Sequence, residues 1–444
     1  MKLFFIFFLA LFIYSCSSDK EKKVDLEVFK RQGEKINVFE DNNIFDKEVN
    51  SKSLLQLNLP FLNKNWNYEH YSSNNYYEHF VYEGKLQVFF KKSLGDYINK
   101  NNDNGSLLIS NNFAFFSDEK GKIYKFDINN KKIIWEIKIY QSAVNNFPKN
   151  IALFLNSDVL YAADNLGFIY SINTETGKKI WQQEYGIPFS SHLNFHRGVL
   201  YVVNQNGRLY AFNPVDGEKI WSFESLSGLI KPSRSSNISI YENKLLFSND
   251  LGDITAIDLD QQVIIWSKNI LSQNTISNNL VFRVSNILID KKDIFVSSNS
   301  GSLFNLNIET GETKWSSKVS SIQHHIITDK YLFVLTDNAF VIAFSKFDGN
   351  ILWSLNMNKY SKPIVEGSNI GIFSTPITNS HFGLLLASNH LYLVSTSGFI
   401  FKISALDGKY ISNKKISSEL SRAPIIVDNK IFIFNRSSEL IILN

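Results

Sequence analysis

Few side chains in this 444-residue chain are of the kinds that make or break bonds, and their spacing limits what they could do. Cys16 is the only cysteine, so no internal disulfide can form and no second thiol is available. Two acid–imidazole pairs, Glu69-His70 and Glu78-His79, fall within about ten residues of each other and could supply a two-plus-two metal site. Their spacing matches no ligand motif, and a packed or solvated segment is the simpler account. His324 and His325 are neighbours in what reads as a strand, so they point to opposite faces and do not share an ion. There is no Gly-rich phosphate loop, nucleophile elbow or His-Glu-x-x-His motif. The expectation is a chain with no catalytic residue, no metal site and no cofactor.

The cysteine has a different use. Met1-Lys2 is followed by an apolar run, Leu3 to Tyr14, too short to span a bilayer and of the length of a secretory core. It ends in Ile13-Tyr-Ser-Cys16. An aliphatic residue, a small residue and then cysteine resemble the bacterial lipobox, which implies cleavage before Cys16 and acylation of that residue. Several acyl chains on one residue exceed what stable anchoring needs. Ser17, in place of aspartate, resembles the outer-membrane sorting pattern. The chain therefore divides into a signal peptide (1–15), a lipidated polar tether (16–59) and the remainder, 60–444.

That remainder is periodic. Gly121 precedes Trp135 by 14 residues, and the same step links Gly167 to Trp181, Gly207 to Trp221, Gly252 to Trp266 and Gly301 to Trp315. A sixth copy runs from Ala339 to Trp353, and a seventh from Gly398 to Ser412, where serine replaces tryptophan. A period of roughly 40–50 residues means a stacked array or a propeller. Within each copy, short β-branched and aromatic runs alternate with Asn/Asp/Gly turns, the pattern of antiparallel hairpins. Eight first hairpins can be counted, from Leu107 to Ile425. The fold class is all-β: an eight-bladed propeller of four-stranded antiparallel blades. The eighth copy stops at Glu439-Leu-Ile-Ile-Leu-Asn444, one strand short. Phe90 to Gly95 reads like the segment after Trp181, and is expected to close the ring as the missing outer strand, removing an exposed edge. Indoles at one phase of six blades are expected to pack between blades rather than form a platform for a flat cofactor.

Formal charge is +4 with both signs interspersed, which gives no footprint for nucleic acid.

The units SINTETGKKIW, AFNPVDGEKIW and NLNIETGETKW resemble the tryptophan-docking repeats of quinoprotein-like propellers. Together with the lipobox they resemble the BamB family of lipoproteins of the outer-membrane β-barrel assembly machinery. The segments 33–38 and 65–70 are also similar to the region before the ring in alphaproteobacterial members. The resemblance implies a cofactor-free scaffold on the periplasmic side of the outer membrane. It would bind BamA within the assembly complex and touch unfolded outer-membrane proteins. It also implies a contact loop after an early blade's tryptophan, here Leu229, Ile230 and Lys231 after Trp221. Lysine stands where the family has arginine, so a bidentate contact does not transfer. A second family loop with paired acids corresponds to residues 278–284, which lack them.

Two other functions share this fold. A pyrroloquinoline-quinone dehydrogenase has the same repeat but needs clustered oxygen ligands for Ca²⁺ and often adjacent cysteines. A glycan-binding propeller would use loop aromatics such as Tyr71, Tyr76 and Tyr77 as stacking surfaces.

Overall fold

A computed structural model describes residues 45–96, 105–140, 147–228, 236–271, 282–361, 380–435 and 437–444. It contains eight four-stranded antiparallel sheets. Blades 1 to 7 are continuous in sequence: residues 107–138, 151–184, 194–224, 238–269, 288–317, 326–356 and 381–415. Neighbouring blades meet through their innermost strands around a central axis. Blade 8 takes three strands from residues 425–443 and its outer strand, Val88–Ser93, from the other end of the chain. That strand pairs antiparallel with Glu439–Leu443, with Phe90 opposite Ile442 and Ser93 opposite Glu439. The N-terminal closure expected from sequence is what the structure contains.

Each outer hairpin carries a one-residue register shift just before the tryptophan position, as between Ala211 and Phe212 in blade 3. A bulge of this kind turns one residue out of the alternation. The extra residues are Ile134, Ile180, Ile220 and Ile265, which are exposed, and the shift sets the following indole against the next blade. Trp135 Nε1 donates to Thr174 O, Trp181 to Pro214 O, Trp266 to Ile308 O and Trp315 to Lys346 O, each at 2.9 Å. Trp353 donates to Ala405 O at 3.3 Å. All these acceptors lie in the last turn of the following blade. There a glycine at positive φ lies under the ring; a Cβ on Gly217 would sit 2.5 Å from the Trp181 indole. Only glycine fits such an approach.

Before closing the ring, the chain makes a circuit of it. Val49 forms a bridge with Ser354 on the outer strand of blade 6, and Leu55 N donates to Leu406 O of blade 7. Residues 45–59, read by composition as the end of a tether, thus lie along the ring. From residue 61 onward the chain circles the central axis, and this stretch is called the strap below. Asn63 bonds to Ile426 O of blade 8, and Trp66 pairs with Ile109 of blade 1. Asn67 O accepts from Leu155 N of blade 2, and the Tyr68 hydroxyl donates to Phe195 O of blade 3. Ser73 O accepts from Ile240 N of blade 4, and Asn74 exchanges bonds with Ile289 of blade 5. Tyr77 packs on His324 beside blade 6, and Phe80 N donates to Leu386 O of blade 7. Trp66 and Phe80 are fully buried, so the strap is part of the core.

Candidate functional site

Two regions combine exposure or a cavity with unusual side chains. The first is the central channel. The strap blocks it near the C-terminal ends of the inner strands, leaving a cavity of about 480 Å³ beyond. Glu69, His70 and Tyr77 of the strap line it together with the segments that lead into the inner strands of blades 3 to 8. Those segments contribute His192, Asn237, Asn286, His324 and His381. Polar side chains reach the wall because blades 3 to 8 each enter the inner strand there through a Ser-, Asn- or His-containing stretch.

At one side of the cavity three imidazoles meet. The ring of His70 stands edge-on to His192 with centroids 4.8 Å apart, and parallel to His324 at 5.8 Å. The Asn286 carboxamide nitrogen lies 3.2 Å from His70 Nδ1 and 3.1 Å from His324 Nδ1. Tyr77 stacks on His324 at 3.8 Å. Glu69 Oε2 accepts from the Ser106 hydroxyl at 2.6 Å, and Oε1 is 4.0 Å from His70 Nε2. Burial, and then the like charge that the nearby His70, His325 and His192 would carry, hold His324 well below its usual pKa, so it is neutral.

The two acid–imidazole pairs do not come together here. His79 spends both ring nitrogens on backbone, Nδ1 on Asn58 O at 2.7 Å and Nε2 on Asn389 N at 2.9 Å. Glu78 stands among carboxylates, and burial together with Asp329 and Asp290 raises its pKa. His324 and His325 diverge as strand alternation requires: His325 Nε2 bonds to Ser297 Oγ at 2.8 Å, away from the cavity. Among the described residues no group of three or more acids, histidines or cysteines is placed to hold a metal. A Ca²⁺–quinone site needs six to eight converging oxygens. Among the described residues Glu69 is the one carboxylate on the cavity wall, so the donor set they offer does not fit that group. Tyr77 is 5% exposed, and Tyr71 packs on Trp66, so neither offers an open face to a sugar.

The second region surrounds the hairpin Asn249–Asp253 of blade 4. Leu226 is 76% exposed, Leu271 45% and Leu251 37%. Asn249 Nδ2 donates to Leu226 O and Asn269 Nδ2 to Leu251 O, both at 3.0 Å, so the three leucines surround one hairpin. Gly228 N donates to the Asp250 carboxylate at 3.0 Å. The group lies between the connections that leave blades 3 and 4. The expected contact residues Leu229, Ile230 and Lys231 belong to the first connection and lie outside the described residues, as do residues 272–281 of the second. The sequence singled out one loop. It missed Leu251 and Leu271, which join Leu226 around the blade 4 hairpin, because they sit in later turns of the sequence.

The family model described as outer membrane protein assembly factor BamB matches residues 119–355, more than half the chain. BamB of Escherichia coli (strain K12) is 25% identical over 336 residues, spanning 73% of this chain and 80% of that protein. The crystal structure of BamB from Moraxella catarrhalis aligns with a TM-score of 0.62 at 13% identity, over 80% of this chain and 99% of that one. The quinohemoprotein alcohol dehydrogenase of Comamonas testosteroni aligns with a TM-score of 0.60 at 11% identity, over 83% and 76%. At such identities the structural likeness concerns the fold, which the BamB structure and the dehydrogenase share.

Proposed function

The chain belongs to the family of the outer membrane protein assembly factor BamB, and from that premise we propose that it is a non-catalytic scaffold for outer-membrane protein assembly. It docks BamA, and through it the rest of the β-barrel assembly complex, with the face that carries Leu226, Leu251 and Leu271. Acylated Cys16 holds it at the periplasmic face of the outer membrane.

The observation that carries this reading is the exposed leucine group beside the connection that holds Leu229, Ile230 and Lys231. A rigid ring presenting a few apolar anchors with polar surroundings is the anatomy of a protein interface. A standard contact of about 800 Å² per partner fits on one face of such a ring. The central channel supports the non-enzymatic half of the reading: the chain's own strap blocks one end of it, and among the described residues Glu69 is the one carboxylate on its wall, whereas a quinone–Ca²⁺ centre needs six to eight converging oxygens.

The test is co-purification of the full chain with BamA from solubilised outer membranes. Leu226→Asp with Leu251→Asp should abolish it while leaving the melting temperature unchanged, since both side chains are exposed. Undiminished capture of BamA by that variant rejects the docking face. Turnover of alcohols or sugars by a dye-linked assay with added quinone and Ca²⁺ rejects the scaffold reading itself.

A further inference from the structure

The strap crosses the end of the ring opposite the hairpin Asn249–Asp253, and there the N-terminal segment forms an apolar strip that the docking role does not use. Two passes of this segment cross the first hairpin turn of blade 8. Asn63 O accepts from Asp428 N, and Glu83 N donates to Asn429 Oδ1 at 2.8 Å. Val81 N donates to Phe61 O, so the two passes lie side by side. Leu59, Phe61, Leu62, Val88 and Phe89 are exposed along them, Leu59 at 93%. A bulge between Val88 and Phe90 leaves Phe89 out of the strand pairing.

Lysines surround this strip. Lys131 Nζ of blade 1 lies 4.8 Å from the Phe89 ring centroid, and Lys430 Nζ of blade 8 lies 5.8 Å from it. Lys64 reaches the Asp428 carboxylate at 2.6 Å, and Lys85 and Lys132 are exposed beside these groups. The carboxylates interspersed with the five lysines are Glu83, Asp127 and Asp428; Asp428 is paired with Lys64, and Asp127 accepts from Asn130.

Elsewhere on this end the same structural position is acidic. The last turns of blades 2 to 7 each carry a carboxylate: Glu175, Asp216, Asp260, Glu309, Asp348 and Asp407. The corresponding turn of blade 1 reads Asn129-Asn-Lys-Lys132. Blade 8 has no such turn, because its outer strand comes from the other end of the chain. The turn that lacks an acid is thus the one next to the closing seam.

Apolar tips set among lysines do not suit the core of a protein interface, where lysine is depleted. They suit a bilayer surface. The tips enter the acyl boundary, while the lysine stems lie along apolar surface and keep their ammonium groups at the phosphates. Each lysine near an anionic surface adds to the attraction, and the acidic turns of blades 2 to 7 are repelled by it. We propose that the closing seam is a docking surface for anionic phospholipid, which sets the ring seam-first against the bilayer. The leucine group, at the other end of the strands and on the opposite side of the ring, stays clear for a protein partner. This surface fits the anchored location of the proposed function and acts without the acyl group.

The experiment is flotation of the mature chain with Cys16→Ser, which removes the acylation site. One set of vesicles holds phosphatidylethanolamine with phosphatidylglycerol, the other phosphatidylcholine alone. The bound fraction should be at least about five-fold higher on the anionic vesicles at low salt, and should fall to the neutral-vesicle level at high salt. Leu59→Ser with Phe89→Ser should lower it about ten-fold and leave BamA capture intact. Leu226→Asp with Leu251→Asp should leave flotation unchanged, so loss of BamA capture with flotation intact rejects the leucine docking face alone. Hydrogen exchange with anionic vesicles present should show protection rising at residues 59–64 and 85–89. Equal flotation on both vesicle types, no flotation, or undiminished flotation of the folded Leu59→Ser, Phe89→Ser variant overturns the proposal. Protection that rises at the leucine group instead overturns it even if that variant fails to fold.

Discussion

The junctions between blades 1 and 7 and the two junctions that flank blade 8 solve the same problem with different chemistry. At five of the former, an indole from one blade donates to a carbonyl in the last turn of the next, over a glycine at positive φ. Between blades 3 and 4 the turn reads Asp258-Leu-Asp-Gln-Gln262, and Gln262 takes the left-handed position at φ 58°. Around blade 8 the lock disappears. Blade 7 carries Ser412 at the tryptophan position, facing a blade whose last hairpin is split between the two ends of the chain. Tyr82 of the strap packs edge-on against Tyr392 of blade 7 at 5.4 Å, and Asn444 exchanges backbone bonds with Gln87 while its carbonyl accepts from Lys85. On the other side Phe90 holds the tryptophan position and Lys131 the glycine position, with its ammonium 4.8 Å from the Phe89 ring. Tryptophan is present where a continuous turn can receive it. Where the chain ends meet, backbone pairing and the strap do the joining.

The largest effect should follow from attacking blade 8. Removing residues 88–93 leaves Glu439–Leu443 as an unpaired apolar strand and opens the ring. The chain is expected to aggregate or lose its cooperative melt. A soluble monomer with an unchanged melt would show that the seam closes without this strand.

Next in size are changes at one lock. Trp181→Ala should cost about 3–5 kcal/mol, the usual loss for a packed aromatic. Gly217→Val attacks the same lock from the other side. It forces a β-branched residue into φ 75° and its Cβ into the indole, so a loss of about 3 kcal/mol or more is expected. The two losses should be far from additive in a double-mutant cycle, because one contact is removed twice. Additive losses would show that indole and glycine act independently.

A smaller effect separates the ring interior from its surface by pH. Burial lowers the pKa of His325 to about 3 and of His381 to about 4, from an ordinary 6.5. Both are neutral in the fold, while the unfolded chain takes up protons below pH 6.5. Their contribution is complete above that value and is lost as pH falls toward their folded values. Between pH 6.5 and 5 each loses ~2 kcal/mol. Asp164 and Asp337, raised mainly by burial, act in the opposite sense, as protonation near the carboxylate range relieves them. The melting temperature should therefore fall on going from pH 7.5 to 5, by about 5–10 °C. A flat melting curve over that window would contradict the neutral histidines.

How far the sequence foretold this depends on whether a residue belongs to a repeated unit. Blade number, hairpins and closure were legible because each blade solves one packing problem, and solves it eight times with related residues. The strap was not. Its residues meet a different blade every few positions, so their order carries neither a 2.0 nor a 3.6 period. Asn75 is fully buried at φ 56° and bonds two blades, yet locally it reads as one more polar residue among Ser72-Ser-Asn-Asn75. The channel wall was hidden for a related reason. His192 and Asn286 lie in the segments that lead into the inner strands, and converge only once the ring has closed. Glu69-His70 did attract notice as an acid–imidazole pair, but the partner it finds is Asn286 and not His79.

The finest test asks whether the receiving turn, rather than the indole, decides where a lock can exist. Gln262→Gly should relieve the left-handed backbone beside Trp221 and stabilise by no more than about 1 kcal/mol, because glycine's extra freedom in the unfolded chain offsets part of the gain. Ser412→Trp places an indole at the phase used by six other blades, opposite a blade whose final hairpin is interrupted. With no turn carbonyl to accept its N–H and no glycine to lie under its ring, the new side chain should add nothing to stability. A gain of a few kcal/mol from Ser412→Trp would show that the indole creates its own dock. The missing tryptophan at the seam would then need a cause other than the split hairpin.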